Sequence, residues 1–469
     1  MLVTNRMLYQ TKPDSKHVLK EQLRLFAFDP SPLPPPDILL RVQAGLSKRE
    51  RLAALLEGEL NFHGEDSGYA SHDLHSFAAK FPPQIPRAFI RGLTKPGNTV
   101  LDPMVGSGTS MVEALLEGRK GIGFDIDPLA LRLCSVKATP LLNIDELQTI
   151  GTKVIARASS ILSGRNDLDE VMSKRFNKGT KAFVDYWFYP QTQRQLLALV
   201  LAIQETEKGV CRRFLELTFS SAIVAKSGGV SRARDLAHSR PHLDKSKTPK
   251  NAIDVFSAKL RKNIRSIAQL RRNGTHAFSI AGDARLMPLA DDSVDLVVTS
   301  PPYANAIDYM RAHKFSLVWF GEPIEHLSEL RSKYIGSERI GHPQYSALSD
   351  SVEDIIRKLA IRDKSKAQIL RKYFVEMRTV LSEIYRVLSG DGVAVIIVGT
   401  SVMRGLNVQT HQCLADIGTE LGFDVVGIAR RVLDRNKRMM PARFGSKTSS
   451  IEQRMHDEYV IGLLKYKPF

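Results

Sequence analysis

Short apolar runs alternate with longer amphipathic segments along most of the chain. From residue 98 onward, runs rich in Val, Ile, Leu and Phe are each followed by a turn and then by a helical pattern. Runs of this length that alternate with helices are typical of a mainly parallel sheet covered on both faces. The predicted strands are Thr99–Leu101, Gly121–Phe124, Phe278–Ile280, Leu296–Val298, Val393–Val398, Phe423–Ile428 and Tyr459–Leu464.

The amphipathic segments predict helices around these strands. They are Ser47–Leu60, Ser107–Glu117, Gln193–Glu205, Phe214–Ala225, Ala252–Leu270 and Tyr373–Leu388. About 150 residues separate the second and third predicted strands, which is too long for a loop without structure of its own. We therefore predict an α/β domain in two parts, residues 71–140 and 276–469. A mostly helical insertion occupies residues 141–275, and an N-terminal extension occupies residues 1–70.

The insertion also carries most of the net positive charge of the chain. The 469 residues include 67 Lys and Arg against 50 Asp and Glu, a net charge of +17. Residues 151–280 alone hold 24 basic and 10 acidic side chains, a net charge of +14. Such a concentration indicates a polyanionic partner, most often nucleic acid. A solvated helix face or a loop is the alternative explanation.

Composition excludes several classes of protein. Hydrophobic residues make up 43% and charged residues 25% of the chain, which excludes a wholly disordered protein. A continuous apolar stretch of about 20 residues, as a membrane span requires, is absent from the sequence. Cys134, Cys211 and Cys413 lie far apart, so neither a zinc site nor a disulfide framework is predicted. Residues 1–10 do not match a secretory signal, and a reducing cytoplasm is the expected location.

A glycine-containing turn joins the first predicted strand to the helix that follows. Glycines let the backbone approach a ligand closely, and the amides at a helix start face that ligand. The spacing lacks the third glycine of a dinucleotide fingerprint and the Gly-Lys-Ser/Thr of a phosphate loop. A tight turn without a ligand is therefore an open alternative. The candidate cofactor-binding residues in this turn are Asp102, Pro103, Gly106, Gly108 and Thr109.

Acidic residues follow the second and third predicted strands. Asp125, next to Ile126, could accept both hydroxyls of a ribose, as acids at this position do in nucleotide-binding folds. Asp283, next to Ala284, could accept a hydrogen bond from an adenine amino group. A helix N-cap and a simple turn are the alternatives, and Asp127, which precedes a proline, fits the cap better than Asp125.

The most specific motif ends the fourth predicted strand. It consists of Ser300, Pro301, Pro302 and Tyr303. Two consecutive prolines cannot continue a central strand, so they predict an extended corner at the carboxyl edge of the sheet, where ligands bind in such folds. The corner would expose a hydroxyl group, a carbonyl group without a strand partner and an aromatic ring.

Together these motifs resemble those of the S-adenosylmethionine-dependent DNA amino-methyltransferases, which modify N4 of cytosine or N6 of adenine. The family hallmark (Asp/Asn/Ser)-Pro-Pro-Tyr is present here at residues 300–303, and the cofactor loop at residues 102–109, where Met104 and Val105 replace the commoner aromatic-containing form. The segment at residues 79–86, with Lys80 and Phe81, resembles the family element that closes over the methionine moiety. The resemblance covers residues 71–130 and 275–469.

The resemblance implies a Rossmann-like class I methyltransferase fold with a mixed, mainly parallel sheet of seven strands. It implies S-adenosyl-L-methionine as the cofactor, no metal, and a target base that is flipped out of the duplex. Ser300 Oγ and the Pro301 carbonyl would accept the hydrogens of the target amine, and Tyr303 would stack on the base. Ser at the first motif position favours cytosine N4, whereas Asp or Asn there is commoner in adenine-N6 enzymes.

Other functions remain as alternatives. They are an adenine-N6 methyltransferase, an RNA methyltransferase that acts on the exocyclic amine of guanine, and a DNA-binding protein that has lost catalysis. Intact Asp125 and Asp283 argue against the last of these. None of the three cysteines follows a proline, so the nucleophile of the cytosine-C5 methyltransferases is absent.

In this family, the order of the motifs places target recognition in the insertion. The resemblance implies double-stranded DNA as the partner and a monomeric enzyme, and it leaves open a separately encoded restriction endonuclease. An ordinary amphipathic helix is the alternative for the residues that follow the corner. The candidate DNA-binding residues are Arg232, Arg234, Arg240, Lys245 and Lys247 in the insertion, Arg311 and Lys314 after the corner, and Arg435, Lys437 and Arg438 near the end of the chain.

Overall fold

A computed structural model describes residues 45–77, 80–139, 143–225, 229–234, 236, 241–248, 250–270, 275–304, 308–337, 347–399, 401–433 and 457–466. Within these residues seven strands form one sheet, and β6 (Val402–Met403) and β7 (Leu406–Asn407) form a small separate hairpin. The strands of the sheet are β1 (Thr99–Asp102), β2 (Lys120–Asp125), β3 (Ala277–Ala281), β4 (Val294–Thr299), β5 (Leu388–Gly399), β8 (Phe423–Val432) and β9 (Asp457–Lys465).

The described helices flank the sheet and fill the insertion. They are α1 (Lys48–Leu56), α2 (Gln84–Leu93), α3 (Thr109–Leu116), α4 (Pro128–Lys137), α5 (Ile144–Gly164), α6 (Leu168–Arg175), α7 (Lys178–Trp187), α8 (Pro190–Gln204), α9 (Val210–Ile223), α10 (Ala252–Ile267), α11 (Met310–Leu317), α12 (Ile324–Ser332), α13 (Asp350–Arg362), α14 (Lys364–Val387) and α15 (Thr410–Glu420), with a short 3₁₀ helix at Val318–Phe320.

The sheet has the order β3-β2-β1-β4-β5-β9-β8. Neighbouring strands from β3 to β5 run parallel, and β9 runs antiparallel to both β5 and β8. The predicted mixed, mainly parallel sheet of seven strands is therefore confirmed. Each of the seven apolar runs forms one of its strands. Continuous apolar sequence is expected where both faces are buried, as they are at β5, whereas Phe278 and Ile280 on the edge strand β3 are exposed.

Strand β5 shows how the two faces are covered. Its side chains alternate between two hydrophobic clusters: Ala394, Ile396 and Val398 join one, and Val393 and Ile397 join the other. Helices α14 and α15 cover the first face, and α1 and α2 cover the second. The carboxyl ends of the parallel strands remain open for a binding site.

Helix α1 belongs to the sheet domain. Leu52 and Leu56 are buried in the second cluster, and both would lie within about 3 Å of a Cβ atom added at Gly462 on β9. Glycine in the strand is what allows α1 to approach this closely. Residues 48–56 thus pack on the sheet, whereas the sequence had placed them in an N-terminal extension.

The insertion between β2 and β3 is helical in its described part. Helices α5 to α10 occupy it, and α8 and α9 are mostly buried. The following helix, α11, is also packed in the interior: Met310, His313 and Phe315 are all less than 3% exposed.

Two features are missing from the described part of the chain. None of its helices is long and apolar enough to cross a membrane. Its His, Cys, Asp and Glu side chains also form no group of three or more that could hold a metal ion.

Candidate functional site

A cavity lies at the carboxyl edge of the parallel strands. Its empty volume, including the open mouth, is about 830 Å³. The turns after β1, β2, β3 and β4 all contribute to it, as expected for ligand sites in open α/β sheets. The lining residues are Phe77, Lys80, Phe81, Pro103, Met104, Val105, Gly106, Ser107, Asp125, Ile126, Asp127, Gly282, Asp283, Ala284, Ser300, Pro302, Tyr309, Lys333, Tyr334 and Ile335.

The turn after β1 depends on two glycines in the left-handed region. Gly106 has a φ of +46°, and a Cβ atom there would lie 3.4 Å from the Phe77 ring. Gly108 has a φ of +77°, and a Cβ atom there would lie 2.9 Å from Cys134 Sγ. Gly108 is the N-cap of α3, so the helix starts immediately behind the cavity wall.

Asp125 is held at the cavity by two backbone amides. Its Oδ2 accepts the N–H of Gly106 at 2.8 Å, and its Oδ1 accepts the N–H of Asp127 at 2.8 Å. Burial, reinforced by the negative charge of Asp127, raises the pKa of Asp125 to about 7. The carboxylate therefore has a fixed orientation toward the cavity and is unusually easy to protonate.

Asp127, and not Asp125, is the helix cap. Its Oδ1 accepts the backbone N–H of Leu129 at 2.8 Å, and its Oδ2 lies 2.6 Å from His313 Nδ1 on α11. Burial acts to raise the pKa of Asp127, but the His313 ring outweighs burial and leaves that pKa lowered. Asp127 thus caps the helix, whereas Asp125 remains at the cavity.

Asp102 lies behind the cavity wall. Its Oδ1 accepts the Thr299 hydroxyl at 2.6 Å and the Met104 N–H at 3.2 Å, and burial raises its pKa to about 6. Because Thr299 directly precedes Ser300, this contact joins the glycine turn to the proline corner. Gly108 and Thr109 likewise shape the turn from behind, with the Thr109 hydroxyl 2.9 Å from Ser107 Oγ.

The proline corner presents part of its motif to the cavity. Ser300 and Pro302 are among the lining residues, and Pro301 is buried. Tyr303 is outside the lining, and its hydroxyl donates to Glu458 Oε1 on β9 at 2.9 Å. Burial and the Glu458 carboxylate raise the pKa of Tyr303, so this phenol stays protonated.

Asp283 lines the cavity with its carboxylate already engaged. Arg285 Nη2 donates to Asp283 Oδ2 at 2.6 Å, and Arg285 Nε donates to Asp283 Oδ1 at 2.9 Å. Burial acts to raise the pKa of Asp283, but the Arg285 guanidinium lowers it below its usual range. Asp283 is therefore a fixed negative charge at this end of the cavity.

Several lining residues lie outside the motifs. Phe77 stacks on Tyr309 at 5.6 Å between ring centroids and contacts the His313 ring at 4.9 Å. Lys333, Tyr334 and Ile335 come from the segment after α12, which carries no recognisable motif. Of these residues, only Phe77 could have been suspected from the sequence, because it lies two residues before the predicted cofactor element at residues 79–86.

The described DNA-binding candidates divide into engaged and exposed side chains. Arg232 lies 4.8 Å over the Tyr189 ring, and Lys247 Nζ donates to the Ala233 carbonyl at 2.8 Å. Arg311 pairs with Asp308 at 2.9 Å, and Lys314 lies 5.1 Å over the Phe183 ring. Arg234 and Lys245 are exposed. Arg240, Arg435, Lys437 and Arg438 lie outside the described residues.

Comparisons with known proteins point to one family. The family model for DNA methylases of the N6/N4 type matches residues 51–135, which include the glycine turn and Asp125. The type II methyltransferase M.BsoBI of Geobacillus stearothermophilus is 25% identical over 64% of this chain and 58% of its own length. The type II methyltransferase M.MvaI of Kocuria varians is 22% identical over 76% of this chain and 83% of its own length. Residues 51–135 are thus similar to DNA methylases of the N6/N4 type, and both relatives are type II methyltransferases.

The chain spans a little over half of the length of the Geobacillus relative. A solved SAM-dependent methyltransferase of Methanosarcina mazei aligns with 9% identity over 81% of this chain and 98% of that chain, at a TM-score of 0.30, too low to add to the assignment.

Proposed function

We propose that this protein is an amino-methyltransferase that methylates the N4 amine of cytosine in a specific sequence of duplex DNA. The observation that carries the proposal is the place of Ser300, which lines the same cavity as Asp125 and Asp283. A hydroxyl acceptor and two carboxylates suited to nucleotide binding thus line one cavity at the edge of the sheet.

The lining residues fit S-adenosylmethionine, which supplies an electrophilic methyl group when bound. Asp125 is oriented by two amides and retains lone pairs for the ribose hydroxyls. Asp283 and Ala284 provide a negative charge and a small apolar surface for the adenine. Lys80 and Phe81 lie on the remaining wall, as expected for the methionine end.

The corner would then act on the target amine. The N4 lone pair of cytosine is delocalised into the ring, so the amine is a weak nucleophile. Ser300 Oγ and the Pro301 carbonyl would accept the amine hydrogens and draw the nitrogen toward a tetrahedral geometry. Orientation and electrostatic stabilisation supply the rate enhancement without a covalent intermediate.

The target base must leave the duplex to reach this corner. We propose that Tyr303 stacks on the flipped base through its ring while its hydroxyl remains bonded to Glu458. The hydrogen bond would hold the ring plane in place, which is consistent with a stacking role.

Contacts with the DNA backbone are proposed for exposed cations of the insertion. Arg234 and Lys245 flank the short antiparallel bridge between Ala233 and Leu243, where Lys247 Nζ donates to the Ala233 carbonyl. Phosphate contacts of this kind position a protein on DNA and carry no sequence information themselves. We also propose that the enzyme acts as a monomer, with a separately encoded restriction endonuclease as its functional partner.

The test is expression in a methylation-free host, followed by single-molecule sequencing and nucleoside mass spectrometry of the DNA. N4-methylcytosine at one short sequence is the expected result. N6-methyladenine would overturn the choice of base and leave the site intact. Soluble protein that binds S-adenosylmethionine and leaves the DNA unmodified would overturn DNA as the substrate and direct the search to RNA. A Ser300→Ala variant expressed in parallel is the matched control.

A further inference from the structure

One wall of the cavity is held by polar contacts and not by motif residues. The wall segment, residues 333–337, follows α12 and supplies Lys333, Tyr334 and Ile335 to the cavity lining. The Lys333 carbonyl accepts Arg285 Nη2 at 3.0 Å, and the Gly336 N–H donates to Glu376 Oε2 at 3.0 Å. Both partners lie far from the wall segment in sequence.

Arg285 is the centre of this network. Its Nε and Nη2 hold the two oxygens of Asp283, and its Nη1 donates to Glu376 Oε1 on α14 at 2.9 Å. Together with the Lys333 carbonyl, one guanidinium contacts the turn after β3, helix α14 and the wall segment. The planar group has five donors in a rigid arrangement, which a lysine cannot reproduce.

The two ion pairs of Arg285 differ in exposure. The Glu376 side chain is 9% exposed and the Asp283 side chain is 37% exposed, with Arg285 itself at 26%. Pairs on an open surface contribute little, but the two-pronged contact between Arg285 and the Asp283 carboxylate imposes a definite geometry. Asp283 therefore keeps one orientation relative to the wall segment.

A second contact anchors the approach to the wall segment on its other side. Arg331, near the end of α12, forms an ion pair with Asp308, which also pairs with Arg311 and follows the proline corner in sequence. The wall segment is thus anchored toward the corner by Arg331 and toward Asp283 by Arg285. Loss of one anchor leaves the other in place, so the two can be separated by experiment.

We propose that Arg285 is a positioning residue for the cofactor. It holds Asp283 and the wall segment in the arrangement that receives the adenosine part of S-adenosylmethionine. The inference rests on the proposed function for the identity of the ligand. This role requires no contact between Arg285 and the target base. Loss of Arg285 should therefore lower the affinity for the cofactor and leave the rate of methyl transfer in the bound complex unchanged.

The test compares Arg285→Gln and Arg285→Lys with Arg371→Gln. Arg371 lies on α14, as Glu376 does, and forms an ion pair with Glu353, but it is outside the cavity lining. Calorimetric titration of S-adenosylmethionine should show about a tenfold weaker Kd for Arg285→Gln, as expected when a charge-assisted contact is lost. Arg285→Lys should fall between Arg285→Gln and the wild type, and Arg371→Gln should bind as the wild type does.

The turnover number at saturating cofactor separates positioning from general damage. We expect kcat of Arg285→Gln to stay within about twofold of wild type, since the corner retains its own anchor. Glu376→Gln, which keeps the size of the side chain, should weaken cofactor binding in the same direction.

Three results would overturn the inference. One is unchanged affinity in Arg285→Gln, another is an equal loss in Arg371→Gln, and the third is a loss of kcat without a loss of affinity. A wild-type protein that fails to bind S-adenosylmethionine would overturn the proposed function as well, which distinguishes the two failures. If Arg285→Gln does not fold, Arg285→Lys and Glu376→Gln decide the question by the same titration.

Discussion

The two ends of the cavity are held by contacts of different range. At the end where we propose that the ribose binds, Asp125 is oriented by amides that lie 2 and 19 residues away in sequence. At the corner, the contact between Thr299 and Asp102 spans 197 residues, and the contact between Tyr303 and Glu458 spans 155. The surroundings of Asp125 are thus a local turn structure, whereas the corner and the wall beside Asp283 depend on the assembled sheet.

The difference suggests that substitutions at the two ends affect different properties. Changes near Asp125, the local end, should alter cofactor affinity and leave the corner intact, because the amides that orient Asp125 belong to adjacent turns. Changes at the corner should alter turnover and leave cofactor affinity intact. The following experiments test that separation.

Replacement of Ser300 should have the largest effect. Ser300→Ala removes the hydroxyl acceptor from the cavity without adding bulk, and we expect kcat to fall by about 100- to 1000-fold, the range found for loss of one acceptor or donor in a preorganised site. The Kd for S-adenosylmethionine should change by less than about twofold. Steady-state methylation and calorimetry measure the two quantities, and equal losses in both would contradict the assigned role.

Replacement of Gly108 tests the local end. Gly108→Ala places a Cβ atom 2.9 Å from Cys134 Sγ at a φ of +77°. We expect a loss of about 1–3 kcal/mol in unfolding free energy and a parallel loss of cofactor affinity. Gly164→Ala is the matched control, since a Cβ atom there meets nothing within 4 Å. If denaturant unfolding gives the two variants the same loss of unfolding free energy, the turn does not require glycine at position 108.

The features that could be predicted from sequence are those whose signals lie within short segments. The seven apolar runs, the glycine turn and Asp125 are of this kind. The helix Ile144–Gly164 was missed although its buried residues Leu147, Gly151, Val154, Ala158 and Ile161 form one stripe at spacings of three and four. The hydrophobic pattern of that helix was therefore present in the sequence.

The long-range contacts could not be predicted. Arg285 and Glu376 lie 91 residues apart, and neither belongs to a motif. The sequence also predicts an aromatic ring at the corner but cannot show that the Tyr303 hydroxyl bonds to Glu458. Side chains that meet through the assembled sheet leave no periodic signal in a single sequence.

The pH dependence of cofactor binding should report on Asp125. Its pKa is raised to about 7, so the carboxylate that we propose accepts the ribose hydroxyls becomes protonated as the pH falls through 7. Affinity should therefore be highest above pH 8 and about tenfold weaker at pH 6. Asp102, with a pKa of about 6, lies behind the wall and should contribute little.

The control is Asp125→Asn, which should bind weakly at every pH and remove this dependence. Because the amino group of the ligand titrates identically with both proteins, the difference between the two profiles isolates Asp125. Profiles of the same shape would mean that Asp125 does not accept the ribose hydroxyls in its ionised form.

The smallest expected effect is at the DNA surface, where single charges contribute weakly. Arg234→Gln and Lys245→Gln should each weaken DNA binding a few-fold and reduce the slope of log K against log salt by about 1. Lys247→Gln is the control, because Lys247 donates to the Ala233 carbonyl and its loss should lower stability more than the salt slope. Binding titrations on duplex DNA at several salt concentrations measure the slopes. If Arg234→Gln and Lys245→Gln keep the wild-type slope, the exposed cations of the insertion lie outside the DNA interface, and the corner alone would remain as the proposed contact with the target strand.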